Sequence, residues 1–199
     1  MKYERYLAPS SIIDWDHPKV FDKAKELASG RDDLEIAGRC FEFVRDEVRH
    51  SGDHRMHPVT LRASEVLEHR TGFCYAKSHL LAALLRANGI PAGLCYQRLS
   101  DGDGFCLHGL NAVFLKGFGW YRVDARGNSA TVQAELDPPR EALAFQALRE
   151  GEADLPEIWE EPVPAVVRVL SAHSSYLDVL NDLPDVELVS PERSGRARG

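Results

Sequence analysis

Thr71-Gly72-Phe73-Cys74-Tyr75-Ala76-Lys77-Ser78-His79-Leu80-Leu81-Ala82-Ala83-Leu84-Leu85-Arg86-Ala87-Asn88-Gly89-Ile90-Pro91 is the stretch that decides how this chain folds. A short Gly-containing turn runs into an apolar helix that ends at Asn88-Gly89, with a proline two residues on, the pattern of a left-handed C-cap. Cys74 opens that helix. A thiol in the first helical turn lies near unsatisfied backbone N–H groups and the positive end of the helix dipole, which favours its thiolate. Cys74 is therefore read as a nucleophile.

The composition limits the alternatives. A chain of 199 residues, 44% hydrophobic and 28% charged, has enough apolar surface for a real core in one domain or a domain with an added subdomain. A formal net charge of -7 argues against a general nucleic-acid binder, which needs a basic face. No apolar run approaches the roughly 20 residues of a membrane helix. Met1-Lys2-Tyr3-Glu4-Arg5-Tyr6 lacks the layout of a signal peptide, so a cytoplasmic location is expected, with no membrane partner. The four cysteines, Cys40, Cys74, Cys95 and Cys106, are too few and too scattered for a disulfide framework. Cys106 and His108 with Cys74 offer a formal zinc set, but the usual ligand spacing is missing, so no metal and no cofactor are expected.

On the N-terminal side, Asp16-His17-Pro18 reads as a helix start with Asp16 as N-cap, and Val20, Phe21, Ala24, Leu27 and Ala28 recur at helical spacing as far as Gly30. A second helix is expected from about Asp32 to the His50-Ser51-Gly52 region, holding Cys40 as a buried thiol. His50, His54 and His57 crowd the next segment. The cluster invites a metal reading, yet Arg55 and Pro58 favour a polar loop, and one of its residues could line a cleft. A short helix over Ala63–Arg70 leads into the opening stretch, with Leu67 inward.

Beyond Pro91 the period becomes extended. Ala92–Leu99 reads as a strand, with Leu94 and Tyr96 on one face and Cys95 and Gln97 on the other; Leu107–Leu115 and Trp120–Ala125 are two more. Between them lie the turn-rich Ser100-Asp101-Gly102-Asp103-Gly104 and Lys116-Gly117-Phe118-Gly119. Phe114 and Trp120 read as packing residues, and Arg126-Gly127-Asn128 as a turn near the mouth of a cleft. A helix is expected over Arg140–Arg149, an irregular acidic segment over Ala153–Pro164, and helices near Ala165–Ala172 and Ser174–Asn181. Pro191–Gly199 is expected to be disordered.

A cysteine nucleophile needs a base, and the base needs a group to orient it. His108 opens one strand and Asp124 closes the next, so one hairpin can carry both. Paired residues of a hairpin keep a constant sum of numbers, so His108 and Asp124 share a face only if the loop has an odd number of residues or a bulge intervenes. A three-residue loop, Lys116-Gly117-Phe118, puts Asp124 opposite Leu110, one diagonal step from His108. A five-residue loop puts it opposite Ala112.

Gly72-Phe73-Cys74 with Leu80–Pro91, His108 opening a strand, and Gly119-Trp120-Tyr121-Arg122-Val123-Asp124-Ala125 together resemble the three motifs of the transglutaminase-like superfamily, in order and at fitting spacings of 34 and 16 residues. The resemblance covers about Ala63–Asn128, roughly a third of the chain. It implies an α+β, papain-like fold in which the nucleophile helix packs on an antiparallel sheet, with helical additions at both ends. The expected boundaries are a single domain over 1–189, its core about 32–150 and its C-terminal extension about 151–189, followed by a disordered tail over 190–199. It implies acyl transfer through a thioester, with Cys74, His108 and Asp124 as the catalytic triad, acting on amide bonds of a peptide or protein by hydrolysis or transamidation. The Cys74 N–H is expected to supply one oxyanion donor; the second is expected upstream, in the His50–His57 region, and the sequence does not identify it. One departure is Leu110, where the family often has an aromatic residue two positions after the histidine. The family also contains catalytically silent domains, so a protein-binding module is the alternative reading.

Overall fold

The computed structural model describes residues 3–28 and 32–186. In chain order the elements are α1 (Pro18–Ala28), α2 (Asp33–Glu47), β1 (Arg49–His50), α3 (Ser51–His54), α4 (Ala63–His69), β2 (Thr71–Gly72) and α5 (Cys74–Ala87). They continue with β3 (Ala92–Asp101), β4 (Gly104–Leu115), β5 (Gly119–Val123), β6 (Glu135–Asp137), β7 (Arg140–Ala142), β8 (Ala153–Asp154), α6 (Pro164–Ala172) and α7 (Tyr176–Leu180). The main sheet is antiparallel in the order β5-β4-β3-β8. Among the described residues no helix is long and apolar enough to cross a membrane.

Helix α5 is the centre of the molecule: every residue from Cys74 to Ala87 is buried, with α1, α2 and α4 packed around it and β3 and β4 against it. A helix with leucine and alanine on most of its circumference can lower its free energy only by being covered all round. Three basic residues are buried with it, and each hydrogen-bonds a loop carbonyl. Lys77 donates to Val48 O and to Arg45 O, satisfying carbonyls at the C-terminal end of α2. His79 Nδ1 lies 2.7 Å from Leu61 O. Arg86 reaches Ala92 O, Ala8 O and Glu160 O at 2.9, 3.0 and 2.7 Å, and burial pulls its pKa down to about 10. Arg86→Met would leave those carbonyls unpaired, and a loss of about 3 kcal/mol is expected by urea denaturation. A loss below about 0.5 kcal/mol would show that the staple contributes little.

Several expectations from the sequence hold. Asp32 caps α2 by accepting from Glu35 N at 2.9 Å, Arg70 ends α4 in the left-handed region at φ 52°, and Cys40 is fully buried with its thiol pushed up to about 12 by desolvation. Phe114 and Trp120 pack with Tyr3 and Tyr6 into an aromatic cluster. Other expectations need correction. Helix α1 opens at Pro18, so the residue before it is His17, not Asp16; the end expected at Gly30 and the tail over 190–199 lie outside the described residues. The segment Ala153–Pro164 is less irregular than its prolines suggest: β8 extends the main sheet, and Trp159 pairs with Leu94.

The largest correction concerns Arg140–Arg149, which is not a helix. Arg140–Ala142 pairs with β6, and the backbone then runs irregularly along the sheet. The reason is tertiary: Glu141 is held by Arg122 at 2.8 Å, Ala144 N donates to Asp124 Oδ2 at 3.2 Å, and Phe145 O accepts from Gln97 Nε2 at 3.2 Å. Those bonds to neighbouring strands replace the i to i−4 bonds that helical propensity alone would favour.

Candidate active site

The β4–β5 turn fixes the geometry of the site. Leu115 pairs with Gly119 and Asn111 with Val123, so the loop has three residues, Lys116-Gly117-Phe118. The odd loop lets the next position, Asp124, share a face with His108. Their side chains meet: His108 Nε2 lies 2.7 Å from Asp124 Oδ2, both groups buried. Asp124 is held from two further sides, Arg126 N donating to Oδ1 at 3.0 Å and Ala144 N to Oδ2 at 3.2 Å. With Nε2 committed to the carboxylate, Nδ1 is the ring nitrogen left for Cys74, whose thiolate the neighbouring His108 favours.

Cys74 comes to the hairpin because β5 stops short of the exposed end of β4. Along that uncovered edge Leu107 N donates to Pro184 O at 2.7 Å and Gly109 N donates to Cys74 Sγ at 3.4 Å. Gly109 is what permits the approach. A Cβ there would stand 3.0 Å from both Cα and Cδ1 of Tyr75, and 3.2 Å from Tyr75 N. Tyr75 locks the contact by donating its hydroxyl to Leu107 O. Phe73, before the helix, supplies no side-chain cap, so no capping side chain competes for the first-turn N–H groups beside the thiol.

Burial alone would raise the Cys74 thiol, but the imidazolium of His108, through charge and hydrogen bonding, outweighs it and holds the thiol low. Burial would likewise lower His108; the charges of Asp124 and Cys74 overcome that and raise it. Desolvation opposes the Asp124 carboxylate, and its His108 partner keeps it ionised below the usual range. The three shifts agree on one species, a thiolate–imidazolium pair oriented by a carboxylate.

Cys74 and His108 open on a cavity of about 680 Å³ lined by apolar groups that include Phe73, Leu99, Leu107, Phe145 and Leu180, together with polar groups such as Asp53 and Arg126. Phe145 stacks edge-on to the His108 ring at 5.0 Å between centroids. Cys106 also lines the cavity, its thiol raised to about 12 by desolvation and by nearby negative charge, the opposite of Cys74. Cys95 is buried in a small cluster with Leu110 and Ala112 and pushed up to about 12 by desolvation. Leu110 faces that cluster and does not line the cavity.

The histidine-rich segment is divided by the fold. His50 enters the cavity beside Cys74; His54 lines a neighbouring hollow of about 240 Å³; His57 Nδ1 lies 3.3 Å from Ser174 O, with its ring against Tyr176. Among the described residues no group of three or more His, Cys, Asp or Glu side chains is placed to hold a metal ion. The sequence reading missed Gly109, Ala144 and Phe145. Gly109, directly after His108, carried a hint, since a glycine inside a strand often marks close approach of another backbone. The other two carried none, because their role depends on where an irregular segment lies.

The family model of the transglutaminase-like superfamily matches residues 22–125, just over half of the chain and all three site residues. This chain belongs to the transglutaminase-like superfamily. A solved structure agrees on the fold. A candidate cysteine protease from Cytophaga hutchinsonii superposes with a TM-score of 0.52 at 20% identity, over 63% of this chain and 42% of its own. The periplasmic domain of TgpA from Pseudomonas aeruginosa gives 0.46 at 19% identity, over 62% of this chain and 46% of its own. This superfamily member thus spans less than half the length of either structure. No curated protein matches it at a significant level.

Proposed function

We propose that the chain is a cysteine-dependent acyl-transfer enzyme acting on amide bonds of a peptide or protein. The observation that carries this reading is the convergence of Cys74, His108 and Asp124, the first two lining one cavity, with the imidazole 2.7 Å from the carboxylate and a strand N–H on the sulfur. The Cys74 thiolate adds to the carbonyl carbon, and the carbonyl electron pair moves onto oxygen. Collapse expels the amine, which takes a proton from His108, and leaves a thioester on Cys74. Water or an amine then attacks the thioester, with neutral His108 taking the proton. Asp124 orients the ring and stabilises its charged form throughout.

The test is to trap the intermediate. When the protein is mixed with a pool of short peptides and quenched in acid, mass spectrometry should find acyl adducts on Cys74 that hydroxylamine removes. Cys74→Ala should carry none. His108→Ala should lose them at least about 100-fold if general acid–base work is what the imidazole supplies. A wild-type protein that forms no adduct, while its thiol still alkylates readily, would instead support the silent binding module.

A further inference from the structure

A second imidazole lines the same cavity as the nucleophile, backed by a second aspartate. Strand β1 pairs in parallel with β2, placing His50 beside Gly72, two residues before the nucleophile. This register is fixed by buried hydroxyls: Thr71 donates to Arg49 O at 3.1 Å and lies 2.9 Å from Ser51 Oγ, while Thr60 donates to Thr71 O at 3.0 Å. The Lys77 ammonium, on Val48 O, ties the start of β1 to α5 itself. His50 is mostly buried, its ring edge-on to Phe73 at 5.5 Å, and it lines the large cavity together with Cys74 and His108.

Its Nδ1 is occupied on the far side. That atom is 3.4 Å from Asp53 N, as the cap of α3, and 3.3 Å from Asp53 Oδ1. The two contacts require opposite protonation of Nδ1: a bare Nδ1 accepts from the amide, and a protonated one donates to the carboxylate. Arg126 also forks onto both oxygens of Asp53, Nη2 to Oδ1 at 2.9 Å and Nη1 to Oδ2 at 2.8 Å, which fixes the carboxylate behind the ring. In the capped neutral tautomer Nε2 carries the hydrogen, and in the imidazolium it carries one as well. Either way Nε2, the nitrogen not taken up by Asp53, is a donor, and His50 is among the groups that lower the Cys74 thiol.

We propose that His50 is the second oxyanion donor of the acyl-transfer site, its Nε2–H and the Cys74 N–H together holding the oxygen that gains charge when the sulfur adds to an amide carbonyl. This rests on the acyl-transfer reading above and adds a role to it. Addition forms the S–C bond and moves the carbonyl pair to oxygen; collapse restores C=O and breaks C–N, with His108 delivering the proton to the departing nitrogen. His50 keeps its proton from start to finish. Asp53 and Arg126 are positioning residues for its ring.

Two reactions of the same thiol separate this role from a merely structural one. Alkylation by iodoacetamide develops no oxyanion at a carbonyl, whereas acylation by p-nitrophenyl acetate does. In His50→Ala the burst of p-nitrophenol should slow by about 10²–10³-fold, while the limiting alkylation rate, read where the thiolate is fully formed, stays within about threefold. His50→Gln, which keeps a donor, should recover most of the burst. Equal losses in both reactions, an unchanged burst in His50→Ala, or a His50→Gln that melts like wild type yet acylates no faster than His50→Ala would each overturn the proposal. A wild-type protein with no Cys74-dependent burst would overturn the acyl-transfer reading and this proposal with it.

Discussion

Alkylation of Cys74 by iodoacetamide should follow a single rise with pH centred near 6, because the thiol is held at about 6 while His108 is raised to about 10. A neutral thiol–imidazole pair would give a midpoint near the ordinary cysteine value, about 8.5. The sign follows from the charges. Between those two values the proton sits on nitrogen, so the nucleophile is formed and its acid partner is loaded at once. Below the lower value the thiolate is lost, and above the upper one the acid for the leaving amine is lost, so acyl transfer should be bell-shaped and alkylation should not. His108→Ala removes the cation that outweighs burial, and the midpoint should move above about 8.5. Alkylation at neutral pH should fall only several-fold, because the less acidic thiolate is intrinsically more nucleophilic, with a Brønsted slope of about 0.4–0.5. Acyl transfer should fall by about 10²–10⁴, since the general acid is gone as well. A midpoint left near 6 in His108→Ala would show that the thiol owes its acidity to something other than His108.

Gly109→Ala should damage the site more than the fold. The added methyl meets Tyr75 backbone at 3.0 Å, a contact that a rotamer change cannot relieve, so β4 must move away from the start of α5. Overpacking of this kind costs about 1–3 kcal/mol, which for a chain of this size lowers Tm by several degrees. The same movement draws the Gly109 N–H off the sulfur and shifts His108, its chain neighbour. A misplacement of about 1 Å between reacting groups costs on the order of 10² in rate. The expected outcome is a folded protein, still cooperative in thermal unfolding, with acyl transfer down by about 10² or more. Unchanged activity would show that the close approach at Tyr75 is not what sets the distance between thiol and imidazole.

How much of this was legible follows from which interactions are local. The nucleophile helix could be read because a capped, apolar 14-residue helix is written into consecutive residues, with its thiol at the first position. The hairpin could be read because strand pairing obeys a parity rule, and the three-residue turn follows it. The Arg140–Arg149 segment failed because its backbone bonds to Asp124 and Gln97, positions remote in sequence that no local pattern encodes. The basic residues of α5 were missed for a similar reason: Lys77, His79 and Arg86 look like solvent-facing breaks in an apolar run until loop carbonyls arrive to receive them.

The sequence by itself determined the cysteine at a helix start, the strand face shared by a histidine and an aspartate, and the family to which their order and spacing belong. Those properties depend on residue type and on the periods of helix and strand, which are intrinsic to the backbone. Tertiary structure alone decided that β4 can lie against the first turn of α5, that Ala144 and Phe145 close over the Asp124–His108 pair, and that of three histidines in one segment only His50 reaches the cavity with Cys74. Those outcomes turn on distances of an ångström or less between elements far apart in the chain, set by packing and by where buried hydrogen bonds find partners.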